Sequence, residues 1–272
     1  MVINILLIIS ALIVLIFLLI KLKYNYFENR KLYKQIDNLK ISFSKTNNKP
    51  PFISYSQLGE DLIIKFIFNG LGFESIKYLD IGAHHPQDNN NTYLFYLDGS
   101  NGVLIEPDYY FIPQLEELRP KDTILNIGIG SKNKRSADFY VFDAKGLNTF
   151  DEKTAIEIDN EGDYSIKEIQ KIKLMTIDSI IKKYFNGTPD FINIDTEGYE
   201  MKILNSINFD ECRPPVFCIE TLTFGERGMQ KKNTDINKFM VEKGYFEFAD
   251  THVNTIFVDR ELWINRKVPW LD

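Results

Sequence analysis

Cysteine and histidine are scarce in this 272-residue chain, with two of the first and three of the second. Cys212 and Cys218 stand six apart with no CxxC or Cys/His spacing around them, which argues against a disulfide framework and a structural zinc site. Two ordinary buried thiols are the simpler reading, and they point to a reducing compartment. No internal repeat occurs, nor a G-x-G-x-x-G run, nor a Walker A sequence, so the usual backbone cradles for a pyrophosphate or a triphosphate are missing. Excess positive charge is missing too: 32 basic residues face 38 acidic ones, a net charge of −6. No nucleic-acid partner is expected, because such binding depends on Lys and Arg set against phosphate.

What is present suits a folded protein, with 44% hydrophobic and 26% charged residues. The length allows one large domain and an appendage. Residues 1–20 (MVINILLIISALIVLIFLLI) carry no charge, and as a helix they would span roughly 30 Å, the thickness of a bilayer core. A single transmembrane anchor is expected there. No basic stretch precedes the run and no small-x-small site follows it, which disfavours a cleaved signal peptide. Residues 21–50 hold eight basic side chains against Glu28 and Asp37, net +6; the rest of the chain is left with 24 basic and 36 acidic residues, net −12. Basic residues on the C-terminal side of the anchor place the following domain in the cytoplasm by the positive-inside rule. Leu22, Tyr26, Tyr33, Ile36 and Phe43 form an interrupted seam, read as a basic spacer with a dimerising coiled coil or a surface for anionic lipid as the alternatives. Asn47 to Pro51 break it, so the expected organisation is an anchor at 1–20, a stem at 21–50 and one globular domain at 51–272.

In that domain, β-rich runs alternate with helical stretches: 78–83, 103–106, 123–129, 191–195 and 216–220, then 245–248 and 255–258. Several are continuously apolar, as in strands buried on both faces. The expected class is therefore α/β, a doubly wound and mostly parallel sheet. The last two runs leave no room for a crossover helix and should pair antiparallel at the sheet edge. Residues 138–150 read as an inserted hairpin or arm.

Ligands of such sheets bind at the carboxyl ends of the strands. Here those ends are acidic: Asp80 before Gly82 and Ala83, Glu106 before Pro107, Asp195 with Glu197, and Glu220. Such a rim would repel phosphate and suit a cation, and Glu106 at the end of the second strand suits the two hydroxyls of a ribose. S-adenosylmethionine, with its sulfonium, amino group and ribose, meets both demands.

The motifs YSQLGED (55–61), YLDIGAHHPQDNNNTYLFY (78–96), GVLIEPD (102–108), LNTF (147–150), FINIDTEGYEMKIL (191–204) and VFCIE (216–220) together resemble the FkbM-type methyltransferases. The resemblance spans residues 52–260. It implies a class I, Rossmann-like fold and transfer of a methyl group from S-adenosylmethionine, with sugar or natural-product hydroxyls as acceptors. By motif, it implies that Asp80, Gly82, Ala83, Glu106 and Pro107 hold the cofactor, that Asn126 lies near the adenine, and that Asp195 and Glu197 face the transfer site. Asn193 stands where many relatives have a lysine.

The remaining candidates come from the residues themselves. His84 and His85 follow the first strand and could act as base or bind the acceptor, against a role in shaping the loop. Gln57, Glu60 and Asp61 could fold over the cofactor, against a solvated helix face. Asp195 or Thr196 could instead cap the next helix. Asp195 with Glu220 could supply oxygen ligands to Mg²⁺, although no metal is assigned. The expected function is O-methylation of a hydroxyl on a carbohydrate or lipid-linked glycan at the membrane. A catalytically silent, nucleoside-binding scaffold is the alternative.

Overall fold

The continuously apolar runs do form strands covered on both faces. In the computed structural model, which describes residues 52–131, 134–223 and 231–267, seven strands make one sheet. In chain order they are β1 (Lys77–Ile81), β2 (Asn101–Ile105), β3 (Thr123–Leu125), β7 (Phe191–Ile194), β8 (Val216–Glu220), β11 (Tyr245–Asp250) and β12 (Asn254–Asp259). Their spatial order is β11-β12-β8-β7-β1-β2-β3. The five from β8 to β3 are parallel, and β12 is antiparallel to both β8 and β11. This is the mostly parallel α/β sheet with an antiparallel edge that the sequence indicated. The anchor and stem expected at 1–50 lie outside the described residues, among which no helix is long and apolar enough to cross a membrane.

Helices cover both faces. On one face Leu79, Ile81, Ile192, Ile194, Phe217 and Ile219 pack with Ile177, Ile180 and Ile203 from helices Ile177–Tyr184 and Glu200–Leu204. On the other, Tyr78, Leu104, Phe191, Val216 and Cys218 pack with Ile64, Ile67 and Phe68 of helix Glu60–Leu71. The side-chain period of two along each strand sorts the residues between these layers. Thr176 caps its helix by accepting the Ser179 N–H, and Gly72, at φ 81°, ends helix Glu60–Leu71 in the left-handed conformation that suits glycine.

Two local expectations change. The run 123–129 is two strands, because the chain turns at Asn126, whose side-chain amide donates to the carbonyls of Glu106 and Pro107 at 2.8 Å each. Beyond that turn β4 (Gly128–Ile129) leaves the main sheet for a second one, of order β4-β6-β5, with β5 at Ser136–Phe142 and β6 at Ile166–Met175. Residues 138–150 are thus no self-contained hairpin: β5 pairs antiparallel with β6, and the chain returns only through a bridge between Tyr140 and Thr149.

The chain order reverses between β1 and β7, which are neighbours although β2 and β3 intervene in sequence. A crevice opens at such a switch point. Register fixes what meets there. Ile81, Ile194, Ile219 and Thr255 face one another across β1, β7, β8 and β12. One residue further along, on the opposite sheet face, come Gly82, Asp195, Glu220 and Asn254, the last two paired directly.

Candidate active site at the carboxyl ends of the strands

The turn after β1 needs a glycine. Gly82 has φ 86°, and a Cβ there would lie 1.7 Å from the Asp195 carbonyl oxygen. The N–H groups of Gly82 and Ala83 both donate to the Ile105 carbonyl, so the turn stays stitched to β2. His84 follows at φ 47°, and its N–H donates to Glu106 at 2.7 Å.

Glu106 is 5% exposed. Its second oxygen accepts the Asp108 N–H, also at 2.7 Å. Burial pushes its carboxyl up to about 8, against the two main-chain donors that favour the charged form. Asp80, 1% exposed, accepts from Thr92 Oγ1 at 2.7 Å and from the Asn193 amide at 2.9 Å; burial raises it as well. Thr92 in turn accepts from Arg119, a fully buried side chain that also bonds Asp122, Tyr78 and the Pro86 carbonyl. This arginine network stands behind Asp80 and holds it in place.

At the β7 end, Glu197 (φ 52°) and Gly198 (φ 97°) turn the chain sharply. The donors of that turn, Thr196 N–H, Thr196 Oγ1 and Gly198 N–H, all go to Glu200. Neither Asp195 nor Thr196 caps the next helix, whose N-cap position is Tyr199 and carries no side-chain cap bond; Glu200 instead ties the turn before the helix together. Asp195 and Glu197 instead line the crevice with Glu220. Asp195 is pushed up to about 7 by burial and by the neighbouring carboxylates Glu200, Asp80 and Glu60, opposed by a hydrogen bond shared with Glu220. Glu197 and Glu220 are also raised well above the usual range, by burial first and then by the neighbouring carboxylates.

These groups surround one cavity of about 350 Å³, within the size range of small-molecule sites. Asp80, Gly82, Ala83, His84, Glu106, Pro107, Asp195 and Glu197 all line it, so eight of the residues singled out from sequence meet there, with Gln57 beside them. Four others stand outside the lining. Asn126 braces the loop after β2, as described. Asp61 accepts from Ser54, Ser56 and the Tyr55 N–H and organises the approach to helix Glu60–Leu71. His85 accepts the Gln87 and Asp88 N–H groups at Nδ1, a loop-shaping role. Glu60 accepts from Thr251, Asn254 and the Leu58 N–H; burial would raise its carboxyl, but these bonds hold it below the usual range.

Sequence reasoning missed the far wall. Phe139, Leu147, Asn148, Phe150 and Tyr199 line the cavity, and Phe150 packs on Phe139 with ring centres 4.7 Å apart. The segment is pinned at two points: Asn148 donates to Asp108 at 3.0 Å, and Thr149 Oγ1 donates to the Glu197 carbonyl at 2.7 Å. The loops after β2 and β7 are thereby tied to one apolar cover.

A polar crevice at the switch point of a doubly wound sheet, with a buried carboxylate ending β2, defines a class I methyltransferase-like fold. Residues 80–247 match the methyltransferase FkbM domain, and the chain belongs to that family of methyltransferases. No curated protein matches the chain. Among solved structures, a methyltransferase from Pyrococcus furiosus is 11% identical, with a TM-score of 0.33 over 84% of this chain and 98% of that one. The 1,6-didemethyltoxoflavin-N1-methyltransferase of Burkholderia thailandensis, solved with S-adenosylhomocysteine, is 9% identical, with a TM-score of 0.34 over 73% of this chain and 74% of that one. Such distant likenesses leave the family match to carry the assignment.

Proposed function

We propose that this methyltransferase uses S-adenosylmethionine and methylates a hydroxyl of a polyhydroxylated acceptor, a carbohydrate or lipid-linked glycan. The observation that carries the reading is Glu106, a buried acceptor at the end of β2 whose two oxygens are fixed by main-chain N–H groups while it lines the cavity. A carboxyl group so held suits paired ribose hydroxyls. Asn91 adds a fit for the ammonium group: it is 5% exposed and lines the cavity, and its Oδ1 has no partner although its amide donates to Asn193. When bound, S-adenosylmethionine supplies a methyl group activated by the positive sulfonium.

The chain's own contribution is alignment and proton removal. Asp80 and Asn91 fix the donor end, and the Phe139–Phe150 wall excludes water from the transfer point. His84, a lining residue whose ring packs on Phe111, takes the proton that the acceptor hydroxyl releases. Amide and carboxyl groups along the crevice accept the remaining acceptor hydroxyls. The test is transfer of a labelled methyl group by membranes containing the full chain to lipid-linked glycans. Alkali-stable label that disappears with Glu106→Ala is expected. Binding of S-adenosylmethionine with no transfer to any glycan would replace the enzyme reading with a scaffold.

A further inference from the structure

Opposite the Glu106 end, the same crevice holds a second polar centre. Asp195, Glu197 and Glu220 each present an oxygen within 4.8 Å of the other two. Oxygens that close together can share one coordination shell, whose cation–oxygen distances are about 2.4 Å. Two cations of neighbouring elements are engaged elsewhere, Lys202 with Asp151 and Lys232 with Asp250. Carboxylates crowded this way repel one another unless protons or a cation intervene.

An independent observation points to a cation. Asn254 sits directly opposite Glu220 on β12 and lines the cavity with it. It is 2% exposed, its amide donates to Glu60, and its Oδ1 has no partner. Glu220 Oε2 is likewise buried and without a partner. A carbonyl oxygen and three carboxylates make an acceptor-only, all-oxygen donor set, the kind that selects hard divalent cations over Zn²⁺ or Cu²⁺. β7 and β8 lie two and three strands from β2 in the sheet, so this centre is about 10–14 Å from Glu106 at ~4.8 Å per strand. It is a different place from the proposed ribose position.

We infer that Asp195, Glu197, Glu220 and Asn254 Oδ1 bind a divalent oxygen-loving cation, of the Ca²⁺, Mn²⁺ or Mg²⁺ class, at the end of the crevice remote from Glu106. Three carboxylates match a dication better than a single ammonium charge. Water or an acceptor oxygen completes the shell, which gives this end of the crevice a means of orienting a hydroxylated acceptor. The site stands on its own geometry and does not require the S-adenosylmethionine reading.

The test is Mn²⁺ binding to the full chain in detergent, read by loss of the free-ion electron paramagnetic resonance signal, with no methyl donor present. Saturable binding of one ion per chain, displaced by Ca²⁺ or Mg²⁺, is expected. Glu220→Gln and Glu197→Gln should each weaken it at least about tenfold, the scale on which altering a metal's supporting groups acts. Glu197 lies on a loop, and a thermal melt of each variant separates lost binding from lost folding. Glu106→Ala should leave Mn²⁺ binding unchanged, so failure of the cofactor reading is distinguishable from failure of this one. No saturable binding at millimolar Mn²⁺, binding unaffected by both glutamate variants, or stabilisation by methylammonium but not by Mn²⁺ would each overturn the inference.

Discussion

Replacing Gly82 by alanine tests whether the β1 turn is locked against β7. The φ of 86° imposes about 1–2 kcal/mol on a residue with a Cβ. The new methyl would lie 1.7 Å from the Asp195 carbonyl oxygen and 2.9 Å from its carbon, and main chain cannot swing aside as a flexible side chain can. Relief requires separating the two strand ends, which breaks or stretches the Asp195 N–H bond to Ile81 and the Gly82 N–H bond to Ile105, at about 1 kcal/mol each. The total is about 3–4 kcal/mol, or a fall in Tm of about 6–16 °C for a domain of this size. Gly72→Ala is the control. It has a similar φ of 81° with nothing within 4 Å of the added Cβ, so only the dihedral strain applies, about 2–8 °C. Thermal unfolding of the full-length variants followed by circular dichroism gives both numbers. Equal shifts for the two variants would refute the close approach of β1 and β7.

Other consequences follow from the buried charges. Glu106 has its folded-state pKa raised from 4.5 to about 8, so the native state holds the proton more tightly than the unfolded chain. Its contribution to stability is complete below pH 4.5 and is lost as pH rises through about 8, by at most about 5 kcal/mol. Urea unfolding at pH 5 and pH 8.5 should therefore show wild type losing stability relative to Glu106→Gln as pH rises; parallel pH profiles would refute it. Arg119→Met leaves Asp122 buried without its guanidinium partner and should cost about 3–5 kcal/mol, read from the denaturation midpoint; a change below 1 kcal/mol, about the scale of an exposed pair, would refute the network. Burial pushes Cys212 up to about 12 and raises Cys218 well above its ordinary value, so neither should react with a thiol reagent at pH 8 until the protein unfolds. Protease added outside intact cells should spare residues 51–272 and cleave them in inverted vesicles; the reverse pattern would overturn the cytoplasmic placement expected from the charges at 21–50.

The central strands were legible because burial on both faces demands unbroken apolar runs, as in FINI and VFCI, and because Gly82 and the strand-end acids sit where such sheets bind ligands. The antiparallel edge followed from the missing crossover between 245–248 and 255–258. The second sheet was not legible: β6 is largely exposed, its apolar residues Ile166, Ile169, Ile172, Leu174 and Met175 form neither a continuous run nor a strict alternation, and its partner β5 is separated from it by a helix. Nor could the break at Asn126 be seen, since it depends on an amide reaching carbonyls of another loop. Arg119 and Glu200 escaped notice for a shared reason. Each is a charged residue on a short helix or just beyond it, where solvent exposure is the default, and only the fold buries it, Arg119 against distant Tyr78, Pro86 and Thr92 and Glu200 against the turn that precedes it.

The central claim is tested most directly by calorimetric titration of S-adenosylmethionine and S-adenosylhomocysteine into the full chain, beside Glu106→Ala. Saturable binding of both, lost in a variant that still folds, is the predicted result. No binding to the folded wild type, or equal binding to the variant, would contradict the placement of the methyl donor at the end of β2.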